Sequence, residues 1–192
     1  RLSVSWINLF VKEKNFFKSL PPWFYLRILL LLYIYLCSIS SGVNVKIMVI
    51  VETSSYEETI EYARKLGSVL KGGEVIAYFG GLGMGKTTFT SGLCEGMGVN
   101  AEVSSPTFAL VNEYGNSKKL YHFDMYRISS FDDLCSTGFF DYLDTNAVLA
   151  IEWSENIENA LPENYIRLEI ERGDSDESRI FKLSGDKIYE DS

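Results

Sequence analysis

The spacing of apolar and polar positions changes several times along this chain, and each change marks an element. Residues 46–51 form a short apolar run of strand character. From Ser54 a helical period takes over, with Ile60, Ala63, Leu66, Gly67 and Leu70 on one face. Two overlapping capping-box pairs, Ser54 with Glu57 and Ser55 with Glu58, open that helix. After the turn Lys71-Gly72-Gly73, residues 74–79 read as a buried strand. Residues 86–97 have helix length and stop at Gly98, a natural C-terminal cap. A loop over 99–107 ends in Ser104-Ser105-Pro106-Thr107. Residues 108–114 and 119–123 read as strands joined at Gly115-Asn116-Ser117. Residues 131–143 are helical in short pieces broken at Gly138, and 147–151 form a strand without a polar residue. Residues 154–161 predict a helix ended by Pro162. Strands over 165–171 and 180–183 close the domain around a turn at 173–177. There are no internal repeats. Strands alternating with helices predict an α/β fold of three layers with a mainly parallel central sheet.

Between the second strand and the second helix stands Gly80-Gly81-Leu82-Gly83-Met84-Gly85-Lys86-Thr87, followed by Thr88. The run fits G-x-x-x-x-G-K-[ST], the phosphate-binding P-loop, and makes this a P-loop NTPase-type domain. The residue types follow from the ligand. A nucleoside triphosphate is a chain of anionic oxygens, and a glycine-rich turn can aim successive backbone N–H groups at it without a Cβ in the way. The helix that follows adds the partial positive charge of its N-terminus. Lys86 is placed to reach the β- and γ-phosphates of ATP, and the Thr87 hydroxyl to ligate Mg²⁺.

A P-loop needs an acid at the end of a neighbouring buried strand, for Mg²⁺ or its water. Two candidates stand at such ends: Glu152, after Val148-Leu149-Ala150-Ile151, and Asp124, after Leu120-Tyr121-His122-Phe123. Arg127, the sole arginine between the P-loop and Glu152, is placed to pair with Asp124, to touch a phosphate, or to sit in a surface ion pair. His122 alternates with the strand and reads as a packed residue rather than a catalytic base. Trp153 is core, stacking surface or partner contact; the sequence does not choose.

Composition narrows the setting. Of 192 residues, 46% are hydrophobic and 14% aromatic, enough for one folded domain with a real core. The three cysteines, Cys37, Cys94 and Cys135, lie far apart, which argues against disulfides or a zinc site and fits a reducing cytoplasm. A single histidine excludes a multi-histidine metal site. Residues 48–192 hold 12 basic and 25 acidic side chains, a net charge of −13. Such a surface repels a phosphate backbone, so tight direct binding of nucleic acid is not expected. Protein partners with basic patches fit better.

Residues 1–47 differ in character. They carry six Lys or Arg, one acid, and an apolar stretch at 23–39 interrupted by Arg27. The uninterrupted part is short for a bilayer span. A membrane anchor and a signal segment are the alternatives; the favoured reading is extraneous sequence preceding Met48, with 48–192 as the P-loop ATPase domain and a membrane location not expected.

The chain resembles the TsaE family (also called YjeE), small bacterial ATPases of tRNA threonylcarbamoyladenosine synthesis. The matching pieces are residues 80–88, Ser105-Pro106-Thr107-Phe108, Tyr121-His122-Phe123-Asp124-Met125-Tyr126-Arg127 and Glu152-Trp153, in order and spacing, with a similar entering segment at 53–59. The likeness covers about residues 48–172. It implies a slow ATPase, dependent on ATP and Mg²⁺, that acts with the TsaB and TsaD proteins and meets tRNA only indirectly. By position it implies phosphate contacts from residues 80–88, phosphate and Mg²⁺ held by Lys86 and Thr87, and Thr107 in a switch-like loop near the γ-phosphate. Asp124 and Glu152 would serve the metal and the attacking water, with Trp153 beside them. One departure is Gly81, where the family usually has Asp.

A P-loop small-molecule kinase is the main rival, but such enzymes clamp phosphates with several arginines, and residues 48–192 hold only five, with no Arg-rich lid. A GTPase would carry an N-K-x-D base-reading motif, and none exists. A non-catalytic nucleotide-binding adaptor is the other alternative.

Overall fold

The computed structural model describes residues 7–8 and 47–185. The elements run β1 (Ile7–Asn8), β2 (Ile47–Thr53), α1 (Tyr56–Val69), β3 (Val75–Phe79), α2 (Lys86–Gly96), β4 (Val111–Tyr114), β5 (Leu120–Asp124), α3 (Phe131–Ser136), α4 (Phe139–Leu143), β6 (Val148–Glu152), β7 (Ile166–Arg172) and β8 (Arg179–Ser184). The readings made for residues 1–47 fall outside the described residues, except at Ile7–Asn8, which pair in parallel with Ile47 and Met48, and at Ile47 itself. Among the described residues no helix is long and apolar enough to cross a membrane.

The strands form one sheet in the order β1-β2-β8-β7-β3-β6-β5-β4. Its centre, β7-β3-β6-β5, is parallel. Antiparallel pairs flank it, β4 with β5 on one side and β7-β8-β2 on the other. The parallel centre is where the apolar runs are. Every residue of β3 and β6 is buried, as expected for strands covered on both faces.

Helices α1 and α2 cover one face. Their Ala63, Leu70, Phe89 and Leu93 pack on Ile76, Tyr78, Ala150, Leu168 and Phe181 of the sheet. The two helices approach closely at small residues: a Cβ on Gly96 would lie 2.0 Å from the Arg64 carbonyl oxygen. The opposite face is covered by α3, α4 and the segment after β6, around Phe123, Leu134, Phe139, Leu149 and Ile151. These are the three layers that the alternation of elements predicts.

The ends of α1 and α2 follow the local chemistry of their sequences. Ser55 caps α1, its Oγ accepting from the Glu58 N–H at 3.2 Å, while Glu58 Oε2 accepts from the Ser54 N–H at 2.7 Å. Helix α2 closes in a Schellman arrangement, with Val99 N–H donating to Cys94 O, Gly98 N–H donating to Glu95 O, and Gly98 at φ +76°.

Two expected elements differ. The strand expected over 108–114 begins only at Val111, because Ala109 and Leu110 donate their N–H groups to the Pro106 carbonyl and turn the chain first. The helix expected over 154–161 is two short 3₁₀ turns, Ser154–Asn156 and Glu158–Ala160. Trp153 enters the first of them at φ +57°, and the Ser154 hydroxyl bonds back to Ile151 O at 2.8 Å. That tight start leaves no register for an α-helix.

Candidate active site

Strand β3 delivers the chain from the buried centre of the sheet into the loop 80–85. The loop turns through left-handed backbone at Gly80 (φ +151°), Gly83 (+75°) and Gly85 (+92°). Gly80 has a further constraint, since a Cβ there would meet the Ile170 carbonyl oxygen of β7 at 2.7 Å. Gly85 is the N-cap of α2 and offers no side-chain acceptor. The first N–H groups of α2 therefore remain available, and an uncapped helix N-terminus opposite a glycine turn is an anion site.

Lys86 is buried, and its ammonium donates to Gly80 O and Gly81 O, both at 2.8 Å. Burial holds its pKa below the usual lysine range, against the opposing pull of Glu152, Glu155 and Asp124. Gly81, Leu82 and Gly83 are exposed, and Met84 and Thr88 are half-buried. A Cβ at Gly81 would meet nothing within 4 Å, so aspartate would fit there.

The acids arrive by strand period. Alternation in β5 sends Leu120, His122 and Asp124 to the α2 face, and in β6 it sends Val148, Ala150 and Glu152 to the same face. Asp124 and Glu152 are register partners on neighbouring parallel strands. Both are buried. The Thr87 hydroxyl donates to Glu152 Oε1 at 3.0 Å, joining the P-loop to the acid strand. His122 Nε2 lies 2.9 Å from the same oxygen. The tautomer that donates from Nε2 to this carboxylate leaves Nδ1 as an acceptor. Nδ1 is buried with no partner among the described residues, and an orphan acceptor costs less than an orphan N–H. His122 is packed, as its place in the strand predicts, and it also holds Glu152.

Asp124 is engaged differently. Its Oδ2 accepts from the Thr107 hydroxyl at 2.9 Å and its Oδ1 from the Tyr126 N–H at 2.9 Å. Thr107 also bonds Ser105 Oγ at 2.7 Å. The loop before it is pinned at Ser104, whose N–H donates to the Tyr114 hydroxyl and whose carbonyl accepts from it.

Among the described residues two non-glycine residues take positive φ, Leu110 (+69°) and Trp153 (+57°), and both flank this site. For a bulky residue that is strain of about 1–3 kcal/mol. The Trp153 ring lies 4.5 Å from Lys86 Nζ and packs against the Tyr126 ring at 4.9 Å.

Lys86, Thr87, Glu152 and His122 thus converge, with Thr107 and Asp124 joined beside them. Arg127 stands apart, its guanidinium 5.4 Å from the exposed Phe108 ring. Arg179, the first residue of β8, also belongs to the site without any motif to mark it, and bonds the loop carbonyls of Gly83 and Met84. A residue 95 positions away leaves no local signal.

Among the described residues no three or more His, Cys, Asp or Glu gather as a metal cage. Mg²⁺ does not need one, since it keeps several waters and takes one or two protein oxygens plus substrate phosphates. The hydroxyl of Thr87 and the carboxylate of Glu152, 3.0 Å apart, fit that donor set.

Against known proteins, residues 53–181 match the family model described as threonylcarbamoyl adenosine biosynthesis protein TsaE. The tRNA threonylcarbamoyladenosine biosynthesis protein TsaE of Bacillus subtilis is 38% identical over 139 residues, which cover 72% of this chain and 87% of that protein. Its namesake from Treponema pallidum is 34% identical over 60% of this chain and 86% of its own length. The crystal structure of Bacillus subtilis YdiB superposes with a TM-score of 0.60 at 30% identity, covering 74% of this chain and 88% of that one.

Proposed function

The chain belongs to the family of the threonylcarbamoyl adenosine biosynthesis protein TsaE, and from that premise we propose that it is the Mg²⁺-dependent ATPase of tRNA N6-threonylcarbamoyladenosine synthesis, working in the cytoplasm with TsaB and TsaD. The observation that carries the ATPase reading is the 3.0 Å bond from Thr87 to Glu152. It brings a P-loop hydroxyl and a strand-end carboxylate to one point, as MgATP chemistry requires.

The loop N–H groups and the α2 N-terminus bind the phosphates. Lys86 exchanges its carbonyl partners at Gly80 and Gly81 for β- and γ-phosphate oxygens. Those carbonyls are a neutral stand-in for anionic oxygen, which makes the exchange favourable. Bound Mg²⁺, held through Thr87 and Glu152, would neutralise charge on the β- and γ-oxygens. Glu152, aimed by the His122 N–H, accepts a hydrogen bond from the attacking water. The water oxygen bonds the γ-phosphorus, the bridging oxygen leaves with ADP, and the water proton passes to phosphate or solvent. Asp124, with its oxygens taken by Thr107 and Tyr126, acts by holding the Thr107 loop against the site.

The test is steady-state ATP hydrolysis by the full chain, alone and with purified TsaB and TsaD. The expected result is a slow basal rate that rises at least about tenfold when both partners are present. A chain that binds ATP but is not stimulated would argue against this partnership.

A further inference from the structure

We infer that Arg179 is a positioning residue that presets the phosphate-binding loop, turning the N–H groups of Met84 and Gly85 inward by holding the carbonyls of Gly83 and Met84 outward. The inference rests on the ATP-binding reading and adds to it a residue outside the P-loop motif.

The geometry is specific. Arg179 Nε donates to Met84 O at 3.0 Å and Nη2 donates to Gly83 O at 3.3 Å. In a planar trans peptide the C=O and the following N–H point in opposite directions. Fixing Gly83 O therefore orients the Met84 N–H, and fixing Met84 O orients the Gly85 N–H. Both N–H groups belong to the turn that must face a phosphate. Gly83 is exposed, takes φ +75°, and has no described atom within 4 Å of where its Cβ would be. A glycine turn left to itself loses much conformational freedom on binding, and an external clamp lowers that cost.

The clamp is itself anchored. Nη1 of Arg179 donates to Asp176 O and Ser178 O, both at 2.7 Å. The turn carrying those carbonyls is closed by Gly173 N–H to Ser178 O at 3.0 Å and by reciprocal bonds between Ser175 and Ser178. All four guanidinium bonds go to main-chain carbonyls, and Arg179 takes part in none of the ion pairs among the described residues. Its positive charge therefore meets no carboxylate within ion-pair distance among the described residues. The planar fork suits two carbonyls of successive peptides, which a lysine cannot engage in the same way.

The experiment is calorimetric titration of MgATP, and separately of inorganic tripolyphosphate, into the full chain, with the melting temperature of each ligand-free protein measured alongside. Wild type, Arg179→Ala, Arg179→Lys and Lys86→Met are compared. Arg179→Ala is expected to weaken ATP and tripolyphosphate by the same factor, about tenfold, because the loop reads phosphate and not the base. Its ligand-free melting temperature should fall by no more than a few degrees, and Arg179→Lys should recover part of the loss. Unchanged affinity in Arg179→Ala, or a loss for ATP without one for tripolyphosphate, would overturn the inference. If Arg179→Ala does not fold, Arg179→Lys carries the test: about threefold weaker binding supports the clamp, and wild-type affinity refutes it. Should wild type bind neither ligand, the ATP-binding reading fails first. Binding by wild type but not by Lys86→Met, with Arg179→Ala unaffected, rejects only the role of Arg179.

Discussion

Two bends of left-handed backbone face each other across this site, and they are built in opposite ways. The loop 80–85 turns on glycines at φ +151°, +75° and +92°. The bend after β6 turns on a tryptophan at φ +57°. For an L-residue this conformation costs about 1–2 kcal/mol, and glycine avoids the cost. The difference is instructive. On the phosphate side a side chain would stand between the backbone and the ligand, so the absence of a Cβ is the useful property. On the acid side the side chain is needed, because the indole supports the Lys86 ammonium and packs on Tyr126. One bend exposes backbone; the other tolerates strain to place a ring beside Glu152.

The contrast breaks most completely at the lysine between the two bends. Lys86→Met should weaken MgATP binding by about a thousandfold, from the loss of charge-assisted bonds to two phosphates. The ligand-free fold should not suffer. Burial lowers the folded-state pKa of Lys86, so folding opposes its charged form. That penalty is full where both states keep the charge, shrinks as pH rises through the folded pKa, and is gone above the unfolded value. Ligand-free melting of Lys86→Met should therefore match or exceed wild type at pH 7, with any advantage shrinking toward strongly alkaline pH. A large drop at pH 7 would mean that the bonds to Gly80 and Gly81 outweigh desolvation.

A smaller break comes from giving the glycine side a side chain. Gly80→Ala places a Cβ 2.7 Å from the Ile170 carbonyl in an unfavourable backbone region. The oxygen belongs to a paired strand and cannot retreat freely. We expect destabilisation of about 2–4 kcal/mol by chemical denaturation and weaker ATP binding.

The smallest effect sharpens the contrast. Trp153→Gly removes the strain and the ring together. Stability should change by only about 1 kcal/mol, as strain relief offsets lost packing. ATP turnover should fall several-fold all the same. Trp153→Phe, which keeps a ring in the same bend, should retain more turnover than Trp153→Gly in the same assay.

Much of this was readable in the chain because it is local or periodic. The P-loop is eight contiguous residues, and β3 and β6 are uninterrupted apolar runs. Period-two alternation puts His122 and Asp124 on one face with Glu152, although 28 residues separate the two acids. What escaped reading depends on tertiary contact. The left-handed Trp153 has no signature, since tryptophan gives no warning of positive φ. Once it bends, residues 154–160 become 3₁₀ turns. The late start of β4 follows from the turn of Ala109 and Leu110 onto Pro106, alongside Thr107's bond to Asp124. Arg179 reaches the P-loop only because β8 lies beside β7, which lies beside β3.

The most direct test of a glycine side that binds and an acid side that works in hydrolysis is Glu152→Ala, with MgATP affinity and turnover in the presence of TsaB and TsaD measured on one preparation. The expected result is affinity within about threefold of wild type and turnover lower by about a hundredfold or more. Full partner-stimulated turnover in Glu152→Ala would contradict the assignment of the acid side.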